Sequence, residues 1–517
     1  MAEAVVEERQ LLKKLRWWDG FVIALATPGF LLGSLGYSVG DIGGWGSVLL
    51  WGISAGLAFF IMTLYSEMAA MFPDKPGGFP LYAHEGWRKH FTLIGPIATF
   101  GYWLAWSVVL AFLGVFAGQI ITAAWFPDEP FGSVFFGSSA AESSYFSTGG
   151  AEIGLPHLIA IGLILSVWLF NFRGTRVAVG FGYLAGALLM IPLFVFMILP
   201  FLNGDFDSSN LTWGALDGTA GSGEEATSIS TWEIIRLSLV WLWIMAWSSW
   251  GVDTCATFAP EYKDTVNDTK LALRSACMFT LAVYILLPLG LVGGVGEETV
   301  AAFDYVGALE TLTGSTALTN FFVVVIVASF VISMNTATAD GSRALYGIAR
   351  DGMTVKQLYS LNKWNVPGRA MTLDMIVNIC FVLFVGNIFG ILAASNIGYV
   401  LAHFFAITGF ILLRRDRPDW PRPIRLSPIW IPIAWVLAVV TAVLTFFGVG
   451  WFQTAAGGYG GTTEKIIGFG VLILAIVLFL FRRIVQDGER PHWREDAPAV
   501  PDARTAAMLE EAARPVA

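Results

Sequence analysis

Long apolar runs separated by short polar segments make up most of this chain. An α-helix rises about 1.5 Å per residue, so about 20 apolar residues cross the roughly 30 Å hydrocarbon core of a bilayer. Twelve runs are long enough, and they centre near residues 30, 58, 108, 163, 189, 245, 283, 332, 380, 401, 438 and 473. The pattern therefore predicts an all-α polytopic membrane protein with 12 transmembrane helices.

Two of these runs are interrupted near the middle of the membrane. The run Phe21 to Tyr37 contains Thr27-Pro28-Gly29, and the run near residue 245 is broken at Ser248-Ser249-Trp250-Gly251. Proline removes a backbone donor, and glycine relaxes the limits on the dihedral angles. Because an unpaired backbone group is costly in hydrocarbon, broken spans persist where they line a cavity or bind a ligand. Paired breaks of this kind indicate the binding site of a transporter.

The two breaks together predict one pocket for a ligand with a carboxylate and an ammonium group. Where the first span resumes after Gly29, free N–H groups and the positive end of the helix dipole would stabilise a carboxylate. Where the other helix stops near Trp247, unpaired carbonyl groups would accept hydrogen bonds from the ammonium group. The alternative is an ordinary kink and a helix contact. The predicted substrate-binding residues are Thr27, Pro28, Gly29, Phe30, Leu31, Trp247, Ser248, Ser249, Trp250 and Gly251.

Three carboxylates in or beside the apolar runs are candidates for coupling or gating. Asp253 follows the second break, where a charge needs a proton, a cation or a partner. A structural hydrogen bond to loose backbone is the alternative role for Asp253. Glu67 and Asp340 lie nearer the ends of their spans, and Asp340 precedes Arg343 by three residues on one helical face. We expect Glu67 and Asp340 to build a charged inner gate or to satisfy helix ends.

The runs divide the chain into four parts. These are an N-terminal segment (1–16), a ten-helix transport core (17–414), helices eleven and twelve (415–485), and a tail (486–517) whose composition predicts disorder. Five helices in each half of the core would invert the second half relative to the first. Glu297 to Thr313 has helical periodicity but is too polar to cross, which predicts an outer lid helix. Helices eleven and twelve would serve packing or dimer contact, in a monomer or a homodimer.

Composition and charge indicate a membrane environment and an orientation in the membrane. Hydrophobic residues make up 56% of the 517 residues and charged residues 13%, and the mean hydropathy is +0.67, whereas soluble domains carry about 25% charged residues. The loops 127–152 and 203–233 have no Lys or Arg. Because basic short loops stay inside, both termini are expected in the cytoplasm, with the protein in the cell membrane. The opposite loops are basic and contain Lys75, Arg88, Lys89, Arg173, Arg176, Lys263, Lys270, Arg350, Lys356, Lys363, Arg369, Arg414, Arg415, Arg417, Arg422 and Arg425.

Several classes of function have no support. The net charge of -9 arises largely from outer loops and the tail, so nucleic acid binding is not indicated, and no cleavable signal peptide is expected. The three cysteines and five histidines show no CxxC, HExxH or other metal-ligand spacing. An enzyme would need a convergent nucleophile, base or metal cluster, and none is visible. No cofactor is expected, and the candidate coupling ions are H⁺ and Na⁺. A transport-inactive sensor or scaffold is the remaining rival.

Several stretches resemble one family. Tyr65 to Trp87 (YSEMAAMFPDKPGGFPLYAHEGW) is similar to the segment after the second helix of amino acid/polyamine/organocation (APC) transporters. SSWGVDTCATFAPEYKDTVNDTKLAL resembles their sixth helix and its loop, which puts Asp253 and Trp247 at positions of a gating glutamate and a gating tryptophan. SRALYGIARDGM, LNKWNVPGRA and LLRRDRP resemble later segments. The resemblance runs from Trp17 to Pro418 and implies the LeuT-type 5+5 inverted repeat plus two C-terminal helices.

The chain departs from the family pattern at two places. Thr27-Pro28-Gly29-Phe30 stands where many relatives have Gly-Ser/Thr-Gly, and 177–202 contains no lysine, whereas some proton-coupled relatives carry one. A sodium site near Ser333 is the alternative to proton coupling, with Asn335, Thr336 and Thr338 as further oxygen ligands, although such hydroxyls often bond their own backbone.

The sequence as a whole predicts a secondary active transporter of an amino acid, with alternating access and ion-coupled import. Its partners would be a small-molecule amino acid or amine and the lipid bilayer. The alternative function is an amine or polyamine carrier, or an amino acid exchanger.

Overall fold

The computed structural model describes Lys13 and residues 15–24, 27–73, 75, 77–133, 143–174, 193–220, 227–452 and 461–498. Helices make up most of these residues. Two short antiparallel strand pairs lie in the loops, β1 (Phe146–Ser147) with β2 (Glu152–Ile153) and β3 (Thr219–Ala220) with β4 (Thr227–Ser228). The predicted all-α class is confirmed.

Seventeen helices can be followed in the described residues. The first seven are α1 (Trp17–Ala24), α2 (Thr27–Met71), α3 (Gly78–Trp87), α4 (Ile94–Ser107), α5 (Val109–Trp125), α6 (Leu155–Phe172) and α7 (Leu193–Asn203). The others are α8 (Thr231–Ser249), α9 (Thr254–Thr257), α10 (Thr265–Val295), α11 (Glu297–Ala301), α12 (Tyr305–Thr313), α13 (Thr316–Arg350), α14 (Gly368–Phe384), α15 (Ile388–Asp416), α16 (Trp430–Trp451) and α17 (Thr462–Phe481).

Nine helical stretches of the described residues are long and apolar enough to cross a membrane. The longest, Trp17–Met71, takes in the predicted runs near residues 30 and 58. The run near residue 380 corresponds to α14, which has 17 residues. Much of the run near residue 189 falls at 175–192, outside the described residues. The polytopic class is therefore confirmed, and the count of twelve spans stays a prediction.

The second predicted break is present in the structure. Ser230 and Glu233 form a capping box that starts α8, and α8 ends at Ser249. A 3₁₀ turn (Gly251–Asp253), the single-turn α9 and a second 3₁₀ turn (Ala259–Glu261) follow. The chain beyond the break is thus a series of short turns instead of a second long half-helix.

The first predicted break falls partly outside the described residues. α1 ends at Ala24 and α2 begins at Thr27, and residues 25 and 26 are not described. The expectation that the helix resumes only after Gly29 is wrong, since Thr27, Pro28 and Gly29 already belong to α2. Proline fits the first turn of a helix because the N–H that it lacks has no partner there.

α2 joins two spans through a bend at Gly43. This residue has φ 69° and ψ 176°, a conformation that only glycine adopts readily. A side chain there would also meet the loop that packs on the bend, because an added Cβ would lie 2.5 Å from the Thr212 carbonyl oxygen. The Glu297 carboxylate accepts hydrogen bonds from the N–H groups of Gly44 and Thr212, at 2.5 and 2.6 Å. The loop at Thr212 and the Glu297 carboxylate therefore both hold the bend in place.

The predicted lid is two helices, α11 and α12, because Phe303 between them has a φ of 57°. Both helices pack near the first half of α2. The Tyr305 hydroxyl donates to the Leu32 carbonyl oxygen at 2.6 Å, and the Phe303 and Tyr37 rings lie 4.8 Å apart. The lid thus covers α2 a short distance from Phe30.

Ion pairs join the helices at the opposite end of the bundle, which we call the basic face. The buried Glu85 carboxylate pairs with Lys75 at 2.8 Å, Arg417 at 2.7 Å and Arg88 at 3.3 Å. Burial alone would raise the pKa of Glu85, but the nearby cations, Lys75 first, outweigh burial and hold that pKa well below its usual value. Glu85 therefore stays ionised and ties α3 to the end of α15.

Part of the segment that was expected to be disordered from Gln486 lies on the basic face. Thr92 donates its N–H to the Trp493 carbonyl oxygen, and Glu495 donates its N–H to the Arg88 carbonyl oxygen, both at 2.9 Å. The Glu495 carboxylate also bridges Arg88 and Arg483, at 3.1 and 2.6 Å. The charge that suggested solvation here forms ion pairs instead. Residues 499–517 lie outside the described residues.

We expect Gly43→Ala to destabilise the protein. The unusual dihedral angles and the clash with Thr212 should cost about 1–3 kcal/mol or more, which a thermal unfolding assay in detergent would detect as a lower midpoint. Gly56→Ala is the matched control, because Gly56 lies in the same helix with nothing within 4 Å of an added Cβ. Its midpoint should be unchanged or slightly higher. Equal midpoints for the two variants would contradict the role of Gly43.

A pH effect on stability follows from His84 in α3, which is not one of the candidate spans. Burial lowers the pKa of His84 to about 4. An unfolded chain, with a histidine pKa of about 6.5, binds more protons below that pH, so stability falls as the pH drops from about 6.5 towards 4. In His84→Asn this loss should shrink by up to about 1.4 kcal/mol per pH unit. Thermal midpoints across that range test it, with the exposed His492→Asn as control.

Candidate functional site

Four aromatic side chains from α2, α4, α5 and α8 meet where the two interrupted spans approach each other. The Phe30 ring lies 5.0 Å from the Trp247 ring and 5.7 Å from the Trp106 ring, and Phe112 lies 6.0 Å from Trp247. All four are buried. We call Phe30, Trp106, Phe112 and Trp247 the aromatic cluster. One predicted site residue from each span, Phe30 and Trp247, is thus in contact with the other.

Gly29 brings α2 close to α13. A Cβ added at Gly29 would lie 2.8 Å from the Ser333 Oγ and 3.3 Å from the Phe330 ring. Ser333 donates its hydroxyl to the Ser329 carbonyl oxygen at 3.1 Å, which was the alternative to a sodium ligand. One turn further, the Thr336 hydroxyl lies 3.5 Å from the Ile23 carbonyl oxygen of α1. Ser333 and Thr336 therefore line the side of α13 that faces the first interrupted span.

The other predicted site residues are not members of the aromatic cluster, or their side chains fall outside the described residues. Leu31 and Gly251 are buried, whereas the side chains of Thr27 and Pro28 fall outside the described part of the chain. Glu67 lies on the basic face, where it pairs with Arg414 and, at 3.3 Å, with Arg422. Glu67 thus belongs to the ion pairs of the basic face and not to the aromatic cluster.

Three predicted site side chains at the end of α8 are directed away from Phe30. The Ser248 hydroxyl lies 2.5 Å from the Tyr284 hydroxyl, and the Ser249 hydroxyl lies 2.6 Å from the Ser54 hydroxyl. Trp250 donates its indole N–H to the Ser54 carbonyl oxygen at 3.0 Å. Successive residues of a helix point in directions about 100° apart, so these three turn to α10 and to the second half of α2. They fasten the end of α8 to its neighbours.

Asp253 lies at the centre of a second group of buried polar side chains. The Tyr399 hydroxyl donates to Asp253 Oδ2 at 2.7 Å, and the Tyr102 hydroxyl lies 3.4 Å from Oδ1. Tyr102 donates its hydrogen to Asp340 Oδ2 at 2.5 Å, so one hydroxyl connects two carboxylates. The His403 Nε2 lies 3.3 Å from Asp253 Oδ2. We call Tyr102, Asp253, Asp340, Tyr399 and His403 the carboxylate cluster.

The partner of Asp340 differs from the sequence-based expectation. Arg343, on the same helical face, donates to Glu261 at 2.5 Å and to the Ala339 carbonyl oxygen at 2.8 Å. Glu261 belongs to the turn after α9, so Arg343 joins that turn to α13. Asp340 faces Tyr102 of α4, and its Oδ1 has no hydrogen-bond donor among the described residues. Asp340 therefore belongs with Asp253, away from the ion pairs.

His403 was not predicted as a site residue. Its partner Asp253 is far away in the chain, so no local spacing connects them. One signal was available, because Tyr399 and His403 lie four residues apart in an apolar span and so share a helix face. Two polar side chains on one face of a transmembrane helix indicate a functional or a packing partner.

The two clusters are one helical turn apart on α4. Tyr102 belongs to the carboxylate cluster and Trp106 to the aromatic cluster, and their rings are 6.2 Å apart. The Trp106 indole N–H is buried and has no acceptor among the described residues, which leaves it for a ligand. Trp103, also considered from the sequence, instead donates to Asp374 at 2.6 Å. A ligand beside Trp106 would therefore lie within one turn of the carboxylates.

One group of described side chains has the spacing of a metal site. Ligand atoms of His84, Glu85 and Asp351 lie within 4.8 Å of one another. The Lys75 ammonium lies among them, 2.8 Å from Glu85 and 3.7 Å from Asp351. Together with Arg88 and Arg417, which also pair with Glu85, this cation balances the two carboxylates, so the group is better explained as an ion-pair network of the basic face.

Comparison with known proteins identifies the family of the chain. The amino acid permease family matches residues 15–479. The glutamate/serine transporter AimA of Bacillus subtilis (strain 168) is 24% identical over 452 residues, covering 83% of this chain and 77% of that protein. The lysine-specific permease LysP of Escherichia coli (strain K12) is 22% identical over 431 residues, covering 78% and 80%. The arginine/agmatine antiporter of Chlamydia felis (strain Fe/C-56) is 21% identical over 451 residues, covering 83% and 84%.

These proteins are transporters and not enzymes. Each alignment covers most of this chain and most of the related protein. The matched range includes α1, both interrupted spans and both clusters, and it ends within α17. The chain is a multi-pass membrane protein that belongs to the amino acid permease family.

Proposed function

We propose that this chain is a secondary active transporter that imports an amino acid across the cytoplasmic membrane by alternating access. The observation that carries the proposal is the position of the two clusters, which are buried side by side at the centre of the bundle. In this proposal the lid, which packs on α2 near Phe30, is one barrier, and the ion pairs of the basic face are the other. A ligand there can leave only after one of these barriers opens.

The substrate would lie beside the aromatic cluster, between the first turn of α2 and the end of α8. The first N–H groups of a helix have no acceptor within it, here those of Gly29 and Phe30 after Pro28, and with the positive dipole end they suit a carboxylate. The end of α8 is the negative end of its dipole, which suits an ammonium group. A zwitterionic amino acid matches both, and the relatives AimA and LysP carry the names of amino acid substrates.

We assign the coupling role to Asp253 and favour H⁺ over Na⁺. Asp253 and Asp340 contact the same Tyr102 hydroxyl, which has one hydrogen to donate. Two carboxylates so close repel when both are ionised, so a proton stabilises the pair. Sodium coupling through Ser333 is the alternative, but the Ser333 hydroxyl already bonds its own helix backbone.

The basic face would lie in the cytoplasm, which places both termini inside the cell. Lys75, Arg88, Arg414 and Arg417 gather at this face, and basic residues of short loops are retained in the cytoplasm. The lid would then face the outside, and import would begin with its opening.

An amine carrier or an amino acid exchanger is the second candidate. The pair Asp253 and Asp340 offers an amine a negative partner that a zwitterion does not need, and one relative is named as an arginine/agmatine antiporter. A proton gradient that drives uptake into vesicles without internal substrate would support coupled import. Uptake that requires internal amino acid would support exchange.

The Asp253→Asn variant should flatten the pH dependence of transport. Asparagine keeps a hydrogen-bonding oxygen but cannot release a proton, so uptake of radiolabelled L-amino acids into proteoliposomes should no longer change between about pH 5 and pH 8. Asp374→Asn is the matched control, because Asp374 is an equally buried carboxylate that accepts the Trp103 indole N–H and has no hydrogen bond to Asp253. An unaltered pH profile in Asp253→Asn would remove this residue from coupling.

The Gly29→Ala variant should weaken substrate binding. Its Cβ would lie 2.8 Å from the Ser333 Oγ, which pushes α2 away from α13 beside the proposed site. Overpacking of about 1–3 kcal/mol corresponds to about 5- to 150-fold in affinity. A thermal-shift titration with L-amino acids measures this loss. In Gly29→Ala/Ser333→Gly the added methyl group has room, so part of the affinity should return, whereas unimpaired binding in Gly29→Ala would refute the placement.

A further inference from the structure

His403 has a closely defined position in the carboxylate cluster. Its ring stacks on the Phe79 ring with centroids 3.9 Å apart, and the Trp250 ring meets it edge-on at 5.0 Å. The side chain is fully buried. Packing on two sides fixes the plane of the imidazole, so the direction of each ring nitrogen is fixed as well.

The two ring nitrogens face different partners. Nδ1 lies 2.6 Å from the Tyr65 hydroxyl of α2, which is hydrogen-bonding distance. Nε2 lies 3.3 Å from Asp253 Oδ2, although it is not aligned for a hydrogen bond. The same carboxylate oxygen accepts the Tyr399 hydroxyl at 2.7 Å. A small movement of the Gly251–Asp253 turn would align Nε2 with Oδ2.

Asp253 has no lysine or arginine partner among the described residues. Arg343, the nearest basic side chain in this part of α13, donates to Glu261. The imidazole of His403 is therefore the basic group that can take a proton from Asp253 or share one with it. A buried carboxylate needs such a partner, because ionisation without a compensating charge is costly in this environment.

We propose that Asp253 and His403 hold the coupling proton jointly, between Asp253 Oδ2 and His403 Nε2. The inference rests on the proposed coupling role of Asp253 and extends it to α15. With one proton, the pair exists either as a carboxylic acid beside a neutral imidazole or as a carboxylate beside an imidazolium. Release of that proton leaves a carboxylate beside a neutral ring. No bond other than the O–H or N–H bond forms or breaks.

Tyr65 is suited to both forms of the pair. A neutral imidazole with hydrogen on Nε2 accepts the Tyr65 hydroxyl at Nδ1, whereas an imidazolium donates its Nδ1 hydrogen to the Tyr65 oxygen. Rotation of one hydroxyl therefore keeps Nδ1 satisfied while the proton moves. Tyr65 is a positioning residue, because it acts through His403.

Other titratable side chains surround the pair. They come from α3, α4, α9, α10, α13 and α15 and are Tyr82, Tyr102, Cys255, Cys277, Asp340 and Tyr399. Asp340 is the one carboxylate among them, and Tyr102 lies between it and Asp253. Since tyrosine and cysteine are neutral near pH 7, the proton of the pair responds mainly to Asp340.

The experiment compares the pH at half-maximal uptake in proteoliposomes, with radiolabelled L-amino acids of all standard types as the probe. His403→Gln keeps a polar side chain but cannot carry the proton, so the pair is left with fewer protonated forms. Its midpoint should move to lower pH, because losing the imidazolium form lowers the proton affinity of the pair, and a shift of about one unit corresponds to a tenfold loss of that affinity. Tyr65→Phe should move the midpoint in the same direction by less, because the imidazolium loses its acceptor.

Two further variants separate this inference from the proposed function. His157→Gln is the matched control, because His157 is also buried but belongs to α6, and its midpoint should match that of the unaltered protein. In the Asp253→Asn background, His403→Gln should add nothing, because the two residues act as a unit. If His403→Gln is not recovered folded, Tyr65→Phe carries the test, since it leaves the imidazole in place.

The outcomes are distinct. An unchanged midpoint in folded His403→Gln, while Asp253→Asn still flattens the profile, would overturn the shared proton and leave the proposed function standing. An unchanged midpoint in Tyr65→Phe would overturn the shared proton in the same way when His403→Gln is not obtained. A wild-type profile in Asp253→Asn would overturn both. A shift in His403→Gln that disappears in the Asp253→Asn background would support the pair.

Discussion

Burial of the Asp253 carboxylate is the constraint on which the centre of this protein depends. In a low-dielectric interior an acidic group requires a proton, a cation or several hydrogen-bond donors. The groups around Asp253 come from different helices: Tyr399 of α15 donates to the carboxylate, and Tyr102 of α4 and His403 of α15 lie 3.4 and 3.3 Å from its oxygens. Because each helix contributes only one or two groups, a change in the protonation of Asp253 alters contacts between several helices at once.

The backbone around Asp253 explains why a change in its protonation could alter the conformation of the segment after α8. α8 is a continuous helix up to Ser249, and its last residues are fastened to α10 and α2 by Ser248 and Trp250. Asp253 lies just beyond, in a 3₁₀ turn with fewer hydrogen bonds to hold it. The substrate would contact the end of α8, which is held firmly. The ion would bind at Asp253 in the adjacent turn, which is held by fewer hydrogen bonds. Any effect of one on the affinity for the other would be reciprocal, as linkage requires.

The sequence was sufficient for the membrane class, for the break in α8 and for the position of a carboxylate in the interior at Asp253, because each leaves a local sign. An apolar run that is broken by Ser-Ser-Trp-Gly, or that carries a lone carboxylate, stands out without any knowledge of neighbours. The directions of Ser248 and Trp250 left no such sign, since they depend on how α8 is rotated against α2 and α10. His403 was not predicted for a related reason, because its partner Asp253 comes from another part of the chain.

The two ends of the bundle are closed by different forces. The lid is held on α2 by aromatic contact, by the hydroxyl bond from Tyr305 to Leu32, and by the hydrogen bond that the Glu297 carboxylate accepts from the Gly44 N–H. The basic face is held by ion pairs of the buried carboxylates Glu67 and Glu85. Opening the lid breaks the hydrogen bonds of one carboxylate, Glu297, and aromatic contacts worth only about 0.5–1.5 kcal/mol beyond their buried area, whereas opening the basic face separates several ion pairs of two buried carboxylates. Opening at the lid should therefore cost less than opening at the basic face. The empty protein would then open first towards the lid side, which is the order that import requires if the basic face lies in the cytoplasm.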